Sequence, residues 1–326
     1  MPVNHALGYR RFGEPEQVLT LEAGAKAALA VGCVRVKMHY APVNASDLIP
    51  VTGAYRHRIA LPQVAGYEGV GVVVEAHGAD AALVGKRVLA LRGEGTWQSL
   101  VDCPADRAIL VPDDIDSTLA ARGYINPLAA QLMIEHFSPA GKHLLLTAAG
   151  TDCALLAGQW AQQAGALSVT GIYRSPVHAA RLEACGITPV QQSNAAAVRR
   201  YAARAERVYD ATGGALAEAI REAMPASGLF ISYGLLSGQP FRLRQALPQV
   251  HWFHIRNILP ALDAAAWQAA FSRLWPALAA SQTGGVMPFA LQEWRAALAA
   301  WRSAGRVAKP LLLFEDDRAA SQVITP

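Results

Sequence analysis

Residues 143–166 read HLLLTAAGTDCALLAGQWAQQAGA, and this stretch decides the fold of the second half of the chain. A short apolar run is followed by a turn and then by an Ala-rich segment with the length and spacing of a helix. A turn of this kind directs backbone N–H groups and the positive end of the helix dipole towards one point, which favours an anion. The stretch therefore predicts a strand, an anion-binding turn and a helix.

The turn itself has few glycines for such a site. Gly150 supplies one permissive backbone position, and Ala154 is small enough for close packing of the helix on the strand. Asp152 has two interpretations: it is the N-cap of the helix, or its carboxylate faces a bound pyrophosphate and repels it. Taken alone, the turn is equally consistent with a retained and with a lost nucleotide site.

The regions on either side of this stretch differ in character. Towards the N-terminus, β-branched runs bounded by Gly, Pro and Asp predict a mostly β domain: 33–43, 69–78, 86–91, 98–104 and 108–112. Around and after the turn, short apolar strands alternate with helical segments and predict a doubly wound parallel sheet: 143–148, 167–174, 207–212, 228–234 and 251–257. We expect domains at 1–118 and 119–258, with 259–326 returning to the first. In that last segment, Trp267 and Trp294 recur with apolar residues at helical spacing and are expected in the core.

Composition narrows the function classes. The chain has 326 residues, of which 52% are hydrophobic and 17% are charged, so it is long and apolar enough for two folded domains. No apolar run reaches the roughly 18 residues of a membrane span, and no signal peptide is recognisable, so a cytoplasmic location is expected. The net charge of +4 is spread along the chain without a nucleic-acid motif. The four cysteines are isolated from one another, which favours neither disulfides nor a sulfur-ligated metal.

The end of the second predicted strand bears on the cofactor. The run VTGIYRSP ends with Arg174 and Ser175, where a fold that prefers NAD places Asp or Glu on the ribose hydroxyls. A guanidinium with a neighbouring hydroxyl binds a 2′-phosphate instead, so NADPH is favoured. The alternative is a solvated surface arginine.

Residues 41–78 carry the most informative motif. Asn44, Asp47, Tyr55 and Pro62 occur in this order and are followed by GYEGVGVV. This pattern resembles the medium-chain dehydrogenase/reductase superfamily, and the turns PDDI, DATGG and GLFISYG fall where that superfamily has counterparts. The resemblance implies an α/β protein with a Rossmann cofactor domain and a mostly β, GroES-like catalytic domain.

Many members of that superfamily bind zinc, but this sequence lacks their ligands. Val43 and Tyr67 stand where those members have cysteine and histidine, and the clustered cysteines of their structural zinc lobe are missing. Tetrahedral zinc then has too few ligands. The sequence predicts a zinc-independent enzyme with no metal site.

Within the zinc-free branch, three short matches resemble the 2-enoyl thioester reductases of the mitochondrial type. They are the Asp47 to Tyr55 spacing, the run Gly95-Thr96-Trp97 and the pair Asn126-Pro127. The resemblance implies NADPH-dependent reduction of a trans-2-enoyl thioester of CoA or an acyl-carrier protein. Quinone oxidoreductases share the frame, so reduction of quinones or small enones is the alternative. A non-catalytic nucleotide-binding protein is a third hypothesis, motivated by Asp152.

The resemblance assigns roles in the catalytic domain. Hydride transfer to an enoyl thioester leaves an enolate that needs a hydrogen bond and a proton, and a tyrosine, with an ordinary pKa of about 10, supplies both. Tyr55 is the expected donor, or else a turn tyrosine packed on Pro62. Asn44 is expected beside the nicotinamide, or as a turn former, and Trp97 as a wall of the acyl pocket, or as core. Asp47 is expected to cap a short helix rather than act as an acid.

The remaining expectations concern the cofactor, the substrate and the partner. Arg56, His57 and Arg58 form either a solvated face or a site for a CoA phosphate, a carrier protein or a small acid. The strand HWFHIRN is expected to pair with its twin in a homodimer. No nucleic-acid or membrane partner is expected. The resemblance implies the following cofactor contacts: Asn126, Gly150, Thr151, Asp152, Cys153, Tyr173, Arg174, Ser175, Tyr233 and Gly234.

Overall fold

The computed structural model of the chain describes residues 3–243 and 246–314. Its strands are β1 (Val3–Tyr9), β2 (Leu19–Ala25), β3 (Cys33–Pro42), β4 (Gln63–Val64), β5 (Val70–Ala76), β6 (Arg87–Leu89), β7 (Leu100–Pro104), β8 (Ile109–Leu110), β9 (His143–Leu146), β10 (Ser168–Tyr173), β11 (Thr188–Gln191), β12 (Arg207–Asp210), β13 (Leu229–Ser232), β14 (Gln249–Trp252), β15 (Gly285–Ala290) and β16 (Ala308–Leu313).

The α-helices are α1 (Pro15–Val18), α2 (Ala45–Leu48), α3 (Ser117–Ala120), α4 (Ile125–His136), α5 (Asp152–Gln163), α6 (Ala179–Ala184), α7 (Ala195–Ala202), α8 (Gly214–Ala223), α9 (Ile255–Ile258), α10 (Ala264–Ala279) and α11 (Trp294–Arg302). Short 3₁₀ turns occur at Arg56–Arg58, Gly78–Leu83, Ala105–Arg107, Pro176–His178, Leu259–Ala261 and Leu291–Glu293.

The chain divides into two compact units. The first consists of Met1–Ile125, Ala264–Trp275 and Gly285–Pro326, and the second of Asn126–Asp263 and Pro276–Gly284. The boundaries therefore fall at residues 125 and 263 rather than at the predicted 118 and 258. The segment Pro276–Gly284 was predicted in the catalytic domain but belongs to the second unit. Its side chains explain this, because the Trp160 indole donates to the Ser281 hydroxyl at 2.9 Å within that unit.

The second unit is built on one parallel sheet. Its strand order is β11-β10-β9-β12-β13-β14, and every neighbouring pair is parallel. Numbered along the chain this is 3-2-1-4-5-6, the order of the doubly wound dinucleotide-binding fold, which places a ligand crevice at the carboxyl ends of β9 and β12. The predicted α/β fold with a Rossmann-like parallel sheet is confirmed.

Two strands at the ends of this sheet differ from the prediction. β11 was not foreseen because Pro189 interrupts its sequence, but the strand lies at the sheet edge, where a missing N–H is tolerated. The strand expected at 251–257 ends at Trp252, and Ile255 begins α9. The predicted extension of that strand is therefore wrong.

The first unit consists mainly of β-strands. One sheet has the order β15-β16-β3-β5-β6-β8, with β7 also paired to β3, and a second has the order β2-β1-β4. Only β15 and β16 run parallel within these two sheets, and they come from the returning segment of the chain. The predicted β-rich catalytic domain is confirmed, as is the closing strand at the C-terminal side.

Each unit has an apolar core of its own. In the first, Trp97 and Trp294 are fully buried among the side chains of β3, β5 and α11. In the second, Ile172 and Phe230 pack between the sheet and its helices. None of the four cysteines forms a disulfide in the structure. Within residues 3–243 and 246–314, no helix combines the length and apolar character that crossing a bilayer requires.

Candidate active site

The turn after β9 has the predicted form but a different cap. Thr151 is extended (φ −85°, ψ 154°) and precedes the first residue of α5, and its hydroxyl accepts from the Ala154 N–H at 3.5 Å. Asp152 is therefore the first residue of the helix and not its N-cap, which corrects the prediction. Threonine is itself a good capping residue, so the cap falls one position earlier than predicted. Asp152 still places a carboxylate in the first turn, where the helix dipole stabilises it.

Gly150 is held in close contact with a histidine. A Cβ atom at Gly150 would lie 2.5 Å from His178 Cδ2 and 2.6 Å from His178 Cγ, so only glycine fits there. Ala148, two residues earlier, has φ of +47°, a conformation that L-residues rarely adopt. The sequence analysis missed His178. The sequence offered one indication of it, because His178 follows Arg174 and Ser175 closely along the chain after β10.

The carboxyl ends of the strands bring other predicted residues together. The Tyr233 hydroxyl, just after β13, lies beside the side chains of Thr151 and Cys153 at the start of α5, and burial raises its pKa well above the ordinary value. Gly234 follows, and a Cβ there would lie 2.9 Å from the Ala211 carbonyl oxygen. Thr151, Cys153 and Tyr233 therefore form one group at this edge of the sheet.

The remaining predicted cofactor residues are more exposed. Tyr173 ends β10, Arg174 is exposed, and Ser175 precedes the 3₁₀ turn that carries His178. Asn126 is half-buried and is the second residue of α4. A helix N-terminus, a glycine without room for a side chain and an exposed guanidinium are the groups that a dinucleotide phosphate requires. The residues present therefore fit a nicotinamide dinucleotide.

A buried aspartate links β9 and β12, the two neighbouring strands at which the strand order of the sheet reverses. Asp210 at the end of β12 accepts from the Thr147 hydroxyl at 2.7 Å and from the N–H groups of Thr212 at 3.1 Å and Gly213 at 3.0 Å. The Thr147 hydroxyl in turn accepts from the Ala211 N–H at 2.9 Å. Burial raises the pKa of Asp210, and these donors oppose the shift. The network joins the carboxyl ends of β9 and β12.

In the first unit, Asn44 bridges two buried charged side chains. Asn44 Nδ2 donates to Glu68 Oε1 at 2.6 Å, and Lys309 Nζ donates to Asn44 Oδ1 at 2.8 Å. The three side chains are 4%, 1% and 7% exposed in the order Asn44, Glu68, Lys309. Both polar ends of the Asn44 amide are thus bonded to buried protein groups, and its place beside the nicotinamide stays a prediction.

Asp47 takes part in capping α2 but is not its N-cap: Asn44 is the N-cap, and Asp47, the third residue of the helix, completes a capping box with it. One carboxylate oxygen accepts from the Asn44 N–H at 2.7 Å and the other from the Tyr67 N–H at 2.9 Å. Burial, followed by the charge of Glu68, raises the pKa of Asp47 to about 8. Burial also raises the pKa of Glu68, against the opposing effects of the Ile125 N–H and the Lys309 ammonium.

Trp97 is a core residue. Its side chain is 0% exposed, and its indole N–H donates to the Pro42 carbonyl at 3.1 Å. Gly66 (φ +92°) leaves room for it, because a Cβ at Gly66 would lie 2.3 Å from Trp97 Cδ1. The structure therefore favours the core interpretation of Trp97 over the predicted wall of an acyl pocket.

Two tyrosines of the first unit, which lie between Asp47 and Glu68 along the chain, are partly exposed. Tyr55 is half-buried and precedes the exposed 3₁₀ turn Arg56–Arg58. Tyr67 is 46% exposed, and its backbone is fixed by Asp47. Among the described residues, no group of three or more His, Cys, Asp or Glu is arranged to hold a metal ion.

Comparisons with known proteins agree with both units. Residues 31–113 match the alcohol dehydrogenase GroES-like domain family. The mitochondrial enoyl-[acyl-carrier-protein] reductase of Xenopus tropicalis is 38% identical over 141 residues, which is 40% of this chain and 38% of that protein. The matched segment thus spans well under half of that curated relative.

Solved structures match over the whole chain. A Bacillus thuringiensis protein assigned as an NADPH:quinone reductase superposes with a TM-score of 0.90 and 31% identity, covering 96% of this chain and 99% of that one. A mycobacterial protein solved with NADPH gives a TM-score of 0.81 at 22% identity, over 95% and 99% of the two chains. At that identity the second likeness concerns the fold alone.

Proposed function

Because the chain belongs to the medium-chain dehydrogenase/reductase superfamily, we propose that it is an NADPH-dependent oxidoreductase that reduces an activated carbon–carbon double bond. The proposed substrate is a trans-2-enoyl thioester of CoA or of an acyl-carrier protein. The observation that carries this choice is the similarity to a mitochondrial enoyl-[acyl-carrier-protein] reductase, together with the eight-residue spacing from Asp47 to Tyr55.

NADPH is proposed to bind at the carboxyl edge of the parallel sheet. The amides at the start of α5 suit the pyrophosphate, and Arg174 with Ser175 suits the 2′-phosphate. His178, packed on Gly150, is placed to join them. When bound, the cofactor supplies the hydride for the β-carbon of the enoyl group.

Tyr55 is proposed to donate the proton. Tyr55 is partly exposed, and a phenol stabilises a developing enolate by hydrogen bonding. The basic residues of the following turn are exposed, and we propose that they attract the phosphates of CoA or the acidic surface of a carrier protein.

The test is the turnover of crotonyl-CoA with NADPH by Tyr55→Phe. General acid catalysis contributes about 10²- to 10⁴-fold, so kcat is expected to fall by at least about 100-fold while NADPH affinity is retained. Tyr201→Phe, in α7, removes a hydroxyl elsewhere and is expected to leave the rate unchanged. Tyr67→Phe is the competing variant, since loss of turnover there with an active Tyr55→Phe identifies a different donor.

A quinone or small enone is the second candidate substrate, because the B. thuringiensis structure that matches the whole chain is assigned as a quinone reductase. The ratio of kcat/KM for crotonyl-CoA to that for 1,4-benzoquinone separates the two proposals. A ratio above one supports enoyl reduction. A ratio far below one, with a fully active Tyr55→Phe, supports quinone reduction.

A non-catalytic nucleotide-binding protein is the alternative of another class. Thermal unfolding with NADPH and with NADH decides whether a site exists, because a ligand at 100 times its Kd stabilises a protein by about 2.7 kcal/mol. A shift with NADPH but no turnover of any tested acceptor favours this alternative. A shift with neither removes the proposed cofactor.

Zinc independence is also a proposal. Val43 is fully buried and has no ligating atom, and the exposed Tyr67 is a poor zinc ligand at neutral pH. Activity is therefore expected to survive prolonged dialysis against a chelator. Loss of activity that is restored by zinc contradicts this.

A further inference from the structure

The orientation of the Asn44 amide is determined by its two neighbours. The Lys309 ammonium can only donate hydrogen bonds, and an ionised Glu68 carboxylate can only accept them. The amide oxygen must therefore face Lys309 and the amide nitrogen must face Glu68, as the two bonds of 2.8 and 2.6 Å have it. Asn44 thus links a buried positive charge to a buried negative one.

Glu68 is the acceptor for three donors. Besides Asn44 Nδ2 on Oε1, its Oε2 accepts from the backbone N–H groups of Tyr124 at 3.0 Å and Ile125 at 2.7 Å. Hydrogen bonds donated to both oxygens favour the ionised form of this carboxyl group. Such a charge, 1% exposed, needs a counter-charge, and the structure supplies Lys309.

The two backbone N–H groups that donate to Glu68 lie at the start of a helix. Ile125 is the first residue of α4, and its N–H is one of the four that have no partner within a helix. A carboxylate at this end also interacts favourably with the helix dipole. The next residue, Asn126, is one of the proposed cofactor contacts.

We propose that Lys309 and Asn44 are positioning residues that act through Glu68. They keep the Glu68 carboxylate charged and oriented, and the carboxylate in turn fixes the first turn of α4 and with it Asn126. The expected effect on NADPH binding rests on the proposed function. The expected effect on the first turn of α4 rests on the hydrogen bonds alone.

The test compares Lys309→Met with Lys26→Met. Lys26 is a matched control, because it is 8% exposed, lies in the same unit and is paired with Glu94, but has no bond to Glu68 or α4. Lys309→Met is expected to raise the Kd for NADPH at least fivefold. It is also expected to speed hydrogen–deuterium exchange at the amides of Tyr124 and Ile125 at least tenfold. Lys26→Met changes neither by more than twofold, even where both variants lose thermal stability.

A second pair of variants tests the bonding pattern. Glu68→Gln places an NH₂ against that of Asn44, and turning the Asn44 amide places its NH₂ against Lys309, so affinity for NADPH is expected to fall. The double variant Glu68→Gln/Lys309→Met removes both buried charges and leaves neither one without its counter-charge, so its affinity is expected to be higher than that of either single variant. This pair decides the matter where Lys309→Met alone does not fold.

The outcomes separate this inference from the proposed function. If Lys309→Met leaves both NADPH affinity and exchange at Tyr124 and Ile125 unchanged, Lys309 is not a positioning residue. If the double variant is no better than the single ones, the bonding pattern is wrong. If the parent protein does not bind NADPH, the proposed function fails. The exchange measurement, which needs no cofactor, still decides whether Lys309 holds the start of α4.

Discussion

The substitution Trp97→Phe distinguishes packing from substrate binding at a residue for which both roles were considered. The change removes the N–H donated to the Pro42 carbonyl at 3.1 Å and part of a ring that has 0% exposure. The lost apolar volume, equivalent to about two methylene groups at about 0.8 kcal/mol each, adds to a hydrogen bond of about 1 kcal/mol. The free energy of unfolding is therefore expected to fall by about 3 kcal/mol, a value in the range that large-to-small core substitutions show.

Urea denaturation measures this loss, and steady-state kinetics with NADPH measure the role in binding. If Trp97 only packs, the ratio of kcat/KM for trans-2-octenoyl-CoA to that for crotonyl-CoA stays within about twofold of the parent, since no contact with the acyl chain is lost. Trp294→Phe, at 2% exposure in the same core, controls for general loosening. A fall in stability below about 1 kcal/mol, combined with a changed chain-length ratio, would refute the core assignment.

Four further predictions follow from single groups. Asp47 holds a proton in the folded state up to pH about 8 but loses it near its ordinary pKa of 3.8 when unfolded, so it stabilises at low pH and this stability is lost as the pH rises through that window. Urea titrations between about pH 5 and pH 8 should therefore show a free energy of unfolding that falls less steeply with pH for Asp47→Asn than for the parent. The two slopes should differ by up to about 1.4 kcal/mol per pH unit. Ala148→Gly relieves a left-handed alanine (about 1–2 kcal/mol) and adds chain entropy to the unfolded state (about 0.4–1 kcal/mol), so calorimetry should show a net gain of about 0.5 kcal/mol, and a loss contradicts the strain. Asp152→Asn removes a charge from the first turn of α5, so fluorescence titration should show NADPH binding about two- to fivefold tighter, and unchanged affinity means that the carboxylate does not face the phosphates. Trp252, 54% exposed on the edge strand β14, is expected in a homodimer interface, so Trp252→Glu should give a monomer by light scattering where the parent is a dimer.

The fold could be predicted from the sequence wherever the pattern of apolar residues is regular. The strands of both units alternate or run apolar between Gly and Pro, and the helices of the second unit carry no conflicting signal. The prediction of strands failed where a residue type is compatible with two different structures. Pro189 argues against a strand in general but not at a sheet edge, and the aromatic run after His251 has strand composition although the helix α9 begins at Ile255.

The position of the candidate cofactor residues in the fold was predictable, since they lie at the ends of consecutive strands and the fold places those ends side by side. Gly150, Thr151 and Tyr233 lie at these ends, and their contacts with a cofactor stay a prediction. His178 was not predicted, because its role depends on contact with Gly150, which lies across a turn and a strand from it. A single histidine in a turn gives no signal of its own in the sequence.

The network in the first unit marks the limit of such reasoning. Lys309 lies 265 residues from Asn44, and the only local sign of its role is a charge at the start of the apolar run KPLLLF. A lysine buried in a strand needs a partner, but its sequence position does not say which one. Once the partner is known, the residue types follow from physical chemistry. A group placed between a buried ammonium and a buried carboxylate must accept on one side and donate on the other, and an asparagine side chain does both. The bonds to Lys309 and Glu68 therefore account for the asparagine at position 44 without a catalytic role, and Tyr55 and Tyr67 become the first groups to test for contact with the substrate.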